Sequence, residues 1–172
     1  MLRGEKNTAG HKMWGQRYRQ AMMRWCLVGA LAFLSACSAF KWLPIARVLE
    51  TETIRLEAER GINNDHPLPV DIVFTANEAA IKRLTELKAE DYFNQREQIR
   101  RDFPTGLDIL RWEIVPGQAI PTQAVPPQAQ GALAAFVFAG YLAPGIHRAR
   151  IDELRHVAIL LGPKSFSVFS AS

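Results

Sequence analysis

The sequence predicts a mainly β fold, a β-sandwich with a small inserted helical hairpin, carried behind an export leader. Seven or eight short segments alternate apolar and polar residues, or run apolar throughout, with turn formers between them. Between the second and third of these the period changes from two to that of a helix. The N-terminus is first basic, then apolar, then small-residued, and this run ends at a cysteine.

The leader comes first. Arg17, Arg19 and Arg24 precede the apolar segment Trp25 to Phe33, and Leu34-Ser35-Ala36-Cys37 follows. A membrane-spanning helix needs about 20 consecutive apolar residues, and this segment is far shorter, so it reads as a signal peptide over 1–36. Met13, Met22 and Met23 offer alternative starts. These four residues resemble the bacterial lipobox, which implies that Cys37 is acylated and becomes the mature N-terminus. In lipoproteins of that kind Ser38 resembles the outer-membrane sorting choice. Residues 37–50 are then a lipidated tether, with Trp42 either at the bilayer interface or packed on the domain.

Removing the leader changes the charge. The whole chain carries +4, but residues 1–37 hold six of its Lys and Arg and one acid, leaving 15 basic against 16 acidic residues. The basic balance therefore belongs to the leader and gives no argument for nucleic-acid binding. Cys26 lies in the leader and Cys37 would carry lipid, so the mature domain has no thiol to pair and is held by its core. Residues 51–172 suffice for one such domain.

Thr53 to Glu59 alternates with Ile54, Leu56 and Ala58 on one face, a half-buried strand. Arg60-Gly61-Ile62-Asn63-Asn64-Asp65-His66-Pro67 is a turn-rich connection with little reason to be buried. Leu68 to Phe74 is the second strand, with Leu68, Val70, Ile72 and Phe74 inward and Pro69 marking a strand start or an edge. Asn77 then caps a helix carrying Ala80, Ile81, Leu84 and Leu87, and a second helix runs from about Ala89 to Asp102. Phe103-Pro104 ends it, giving a mostly surface-lying insert over about 77–103 in which Tyr92 and Phe93 anchor helix to sheet.

Leu110, Trp112 and Ile114 form the inward side of a third strand that ends at Pro116-Gly117. Ile120 to Gln130 is extended, an edge or a long loop, and Ala132 to Ala139 is apolar on both faces and suits a central strand. Ile146 to Ile151 is a weak strand, and Val157–Leu161 and Ser165–Phe169 flank a hairpin turn at Gly162-Pro163-Lys164.

No catalytic constellation emerges. His66, His147 and His156 are not at metal-ligand spacing, and the glycines do not gather into a phosphate-binding loop, so neither metal nor cofactor is expected. Asp65 and Asp71 could pair only with an apolar pocket to separate their ionisation, and nothing around them suggests one.

Several of these pieces, in this order, resemble the type VI secretion outer-membrane lipoproteins of the TssJ (SciN) family. They are the lipobox, Asn64-Asp65 before Pro67-Leu68-Pro69-Val70, Ala89-Glu90-Asp91-Tyr92-Phe93, the Trp112 to Gly117 strand end, and Ala134-Ala135-Phe136 followed by His147-Arg148. Phe74-Thr75-Ala76 departs from the family's Tyr-Gln-Leu. The resemblance implies a transthyretin-like β-sandwich, lipid-anchored through Cys37 on the periplasmic side of the outer membrane. It implies docking onto the periplasmic C-terminal domain of the inner-membrane TssM protein, with TssL reached only indirectly. The family's contact loop maps onto Arg60, Gly61, Ile62, Asn63, Asn64, Asp65, His66, Pro67 and Leu68. The alternative is a periplasmic lipoprotein that binds a small ligand or peptide in an apolar pocket lined by residues such as Trp112 and Phe136.

Overall fold

The computed structural model describes residues 48–171. The leader, Cys37, Ser38, Trp42 and the rest of the tether to residue 47 lie outside the described residues. The chain engages the domain by Leu49, whose N–H donates to the Ala132 carbonyl at 2.9 Å. Thr51 follows, buried, with its hydroxyl donating to the Ile151 carbonyl at 2.8 Å. Among the described residues no helix is long and apolar enough to cross a membrane.

Two four-stranded sheets face one another. The first has the order β4-β1-β7-β8, from Ala119–Ala124, Thr53–Ala58, His156–Leu161 and Phe166–Ser170. Alternation in β1 and β7 puts Ile54, Leu56, Val157, Ile159 and Leu161 into the core. These two strands pair in parallel although about a hundred residues separate them, with Ile54 opposite Val157 and Leu56 opposite Ile159. β4 is an edge as expected, and its pairing with β1 slips at Pro121-Thr122, where the missing proline N–H costs no ladder bond.

The second sheet has the order β3-β2-β5-β6, from Leu107–Ile114, Leu68–Thr75, Ala134–Ala139 and Arg148–Arg150. β2 and β5 are its central strands, and β5 is buried along its whole length. Leu68, Val70, Ile72 and Phe74 face the first sheet, as their spacing required. Pro69 sits at the strand start, where its carbonyl accepts from Gly140 at 2.8 Å. The weak strand at 146–151 shrinks to the three residues of β6, since Ile146 and His147 belong to the preceding connection.

The helical insert covers the other face of the second sheet. α1 (Glu78–Glu86) begins at Asn77, whose Oδ1 accepts from the N–H groups of Ala79 and Ala80 at 3.0 and 3.1 Å. α2 (Ala89–Asp102) ends before Phe103-Pro104. Leu84, Leu87, Tyr92 and Ile99 pack on Val73, Ala134, Phe136 and Phe138 in a second core. Tyr92 stacks on Phe138 of β5 with centroids 4.1 Å apart and Phe93 packs half-buried against the same cluster, so both aromatics anchor the helix to the sheet. This extra layer explains why β5 is apolar on both faces and why β2 is buried on both, its polar Asp71 and Thr75 included.

Candidate partner-binding surface

One end of the sandwich gathers the β1–β2, β5–β6 and β7–β8 connections. The first of these is unusual in its backbone. Gly61 has φ +78°, and Asn63, Asn64 and Asp65 have φ 49°, 56° and 61°, within a 3-10 turn over Ile62–Asp65. Left-handed backbone costs ordinary L-residues roughly 1–2 kcal/mol, while glycine, asparagine and aspartate tolerate it. That preference accounts for Gly-x-Asn-Asn-Asp at these five positions.

Asn63 holds the turn in place, and it does so buried, at 4% exposure. Its N–H donates to the Pro163 carbonyl at 3.0 Å, across to the β7–β8 turn. Its side-chain Nδ2 donates to the Pro67 carbonyl at 3.1 Å, and its Oδ1 accepts the Leu142 N–H at 2.7 Å. Tyr141 closes the triangle: its hydroxyl lies 3.0 and 2.9 Å from the Gly162 and Ser165 carbonyls and is shared between them. Burial, with the charge of Glu59 adding to it, pushes the Tyr141 phenol up, so it stays a donor. The three connections are thus cross-linked by partly buried hydrogen bonds and hold one another in place.

The nine predicted loop residues therefore separate into two groups. Ile62 and Leu68 are fully buried in the main core and Asn63 is the latch, which corrects the expectation that this polar stretch has little reason to be buried. Its side-chain amide is buried because backbone groups satisfy both halves, Pro67 within the same connection and Leu142 from the β5–β6 connection. Arg60, Asn64, Asp65, His66 and Pro67 are exposed and Gly61 is half-buried, so they form the accessible rim. His66 turns its Nδ1 to the Asn64 carbonyl at 2.8 Å, which fixes the ring against the turn.

Asp71 departs from its reading. It is 1% exposed, beneath α2, and its Oδ2 accepts the Tyr92 hydroxyl at 2.8 Å, with Arg96 Nη1 and Arg111 Nε at 3.5 and 3.6 Å. Asp71 is therefore enclosed by a phenol and two guanidinium groups beneath the helical insert, whereas Asp65 is exposed on the β1–β2 connection. Burial first, then the charge and hydrogen bond of Asp71, push the Tyr92 phenol far above its ordinary value. The node ties α2 to β2 and β3. Among the described residues no three His, Cys, Asp or Glu side chains could together hold a metal ion.

The ligand pocket imagined between Trp112 and Phe136 is corrected as well. Trp112 pairs with Val70 and packs on the inter-sheet core, whereas Phe136 pairs with Val73 and lies in the helix-side core. The two side chains occupy opposite faces of one sheet, so no pocket holds both.

With this architecture in place, the solved structures supply a likeness. The type VI secretion lipoprotein TssJ1 from Pseudomonas aeruginosa superposes with a TM-score of 0.53 at 18% identity, covering 71% of this chain and 97% of that one. Serratia marcescens Lip, a membrane-bound component of the type VI secretion system, matches with a TM-score of 0.49 at 14% identity, covering 70% and 97%. The first likeness establishes that the chain has the β-sandwich fold seen in TssJ1. No protein-family model and no curated protein matches the chain.

Proposed function

We propose that this chain is a lipid-anchored assembly component of a type VI secretion membrane complex. It sits on the periplasmic side of the outer membrane through lipid on Cys37 and docks its loop end onto the periplasmic C-terminal domain of TssM. The observation that carries the reading is the exposed rim of Arg60, Asn64, Asp65, His66 and Pro67, held by the buried Asn63, in a fold shared with a type VI secretion lipoprotein. A loop locked before it binds loses little conformational freedom on docking, which favours a role in assembly. The signal-like leader and the lipobox supply the anchor on the sequence side.

The role of the anchor is tested in cells. A Cys37→Ser strain should make a folded domain at normal level yet lose secretion of effectors, followed by their appearance in culture supernatant. Secretion at the wild-type rate, with the altered protein released from membranes, contradicts the anchoring role.

A further inference from the structure

We infer that Leu142, on the β5–β6 connection, is the apolar anchor of the docking surface and that Asn63 is the positioning residue that holds it against the Arg60–Pro67 rim. The inference rests on the reading above, in which this end of the sandwich meets a partner protein. Leu142 is 64% exposed, and its backbone is nonetheless fixed, since its N–H is bound to Asn63 Oδ1 at 2.7 Å. The neighbouring Tyr141 is tied to the β7–β8 turn through its hydroxyl. A large apolar side chain on a rigid backbone, beside exposed Asn64, Asp65 and His66, has the anatomy of an interface centre with a polar rim.

The charges indicate what meets it. Arg60 and Lys164 are exposed and are matched by the equally exposed Glu59 and Asp65. An anionic lipid surface is recognised by clustered basic residues, and this end has no such excess. A mixed-sign rim fits a folded protein that offers an apolar recess bordered by charges of both signs. Asn63 contributes through Leu142 and makes no direct contact of its own, because both halves of its amide are already used inside the domain.

The test uses the full chain in detergent, titrated with the TssM periplasmic C-terminal domain, beside detergent-free sedimentation of the unlipidated chain with phosphatidylethanolamine–phosphatidylglycerol vesicles. Leu142→Asp should weaken binding to the domain by about tenfold or more with an unchanged melting temperature. Asn63→Gly keeps the left-handed backbone but removes the amide. It should weaken binding by a smaller factor and speed exchange of the Leu142 amide proton, while Asn64→Gly changes neither. Unchanged exchange at Leu142 in Asn63→Gly overturns the positioning role. Wild-type affinity in Leu142→Asp, when charge reversal at Arg60 and Asp65 still weakens binding, overturns the anchor and leaves the loop reading standing. Loss of vesicle sedimentation in Leu142→Asp with binding to the domain unchanged assigns the residue to a membrane and also overturns the anchor. If the wild-type chain does not bind the domain, the functional reading fails and the inference fails with it.

Discussion

The two sheets of this sandwich share one core and differ on their other face. On the first sheet the outward residues of β1, Arg55 and Glu57, are exposed, and among the described residues no helix covers them. On the second sheet the same positions of β2 are Asp71, Val73 and Thr75, all buried beneath the helical insert. The difference is written in side-chain period. Strands with one wet face alternate, whereas β5, covered twice, is apolar throughout and β2 buries even its polar Asp71 and Thr75. It also decides where a buried charge can be held, since the Asp71 node forms where α2 closes over the sheet.

Truncation should expose this contrast most strongly. Phe138→Ala opens a cavity between β5 and α2 and should cost about 3–5 kcal/mol in urea unfolding, whereas Phe169→Ala, on the uncovered face and 52% exposed, should change stability by less than about 0.5 kcal/mol. Equal losses at the two sites would remove the distinction between the sheets. Next comes Asp71→Asn, which leaves Arg96 and Arg111 without their carboxylate. Those guanidinium side chains are 30% and 38% exposed and can rehydrate, so the cost should be about 1–3 kcal/mol rather than that of a fully enclosed pair.

Alkaline pH sharpens the same comparison. Both Tyr92 and Tyr141 have phenols pushed above the ordinary value of 10.0. Above that pH the unfolded chain sheds protons that the folded chain keeps, so stability is full below pH 10 and falls as pH rises further. The slope should approach about 1.4 kcal/mol per pH unit for each such group. Urea midpoints between pH 9 and 11 for Tyr92→Phe and Tyr141→Phe should each show a shallower fall than wild type. A slope unchanged in both variants would dissociate the alkaline loss from these two rings.

The strands and helices were legible in the sequence because each is a local pattern. The alternation of β1 and β7, the two-sided apolarity of β5, the Asn77 cap and the Phe103-Pro104 stop all act within a few residues. What escaped depends on groups distant in the chain. The parallel pairing of β1 with β7 joins segments about a hundred residues apart. Asn63 looks like a solvent-facing turn residue until Leu142 and Pro163 are brought to it. Asp71 looks like the wet position of a strand until α2 closes over it. Tyr141 had no signal beyond its aromatic ring. The left-handed run did have one, since Gly-x-Asn-Asn-Asp concentrates the residues that tolerate positive φ. A small effect is expected there: Asn64→Gly relieves a left-handed asparagine but loosens the unfolded chain, so stability should move by less than about 1 kcal/mol in calorimetry.

The central claim is that the loop end binds a protein partner through its exposed rim and without borrowing from the core. Isothermal titration of the TssM periplasmic C-terminal domain against the chain tests it with Arg60→Glu and Asp65→Arg combined. Both side chains are exposed, so the melting temperature should hold. Affinity should fall by about tenfold or more, mostly through slower association as rim charges act on encounter. Binding indistinguishable from wild type, with the fold intact, would contradict the claim.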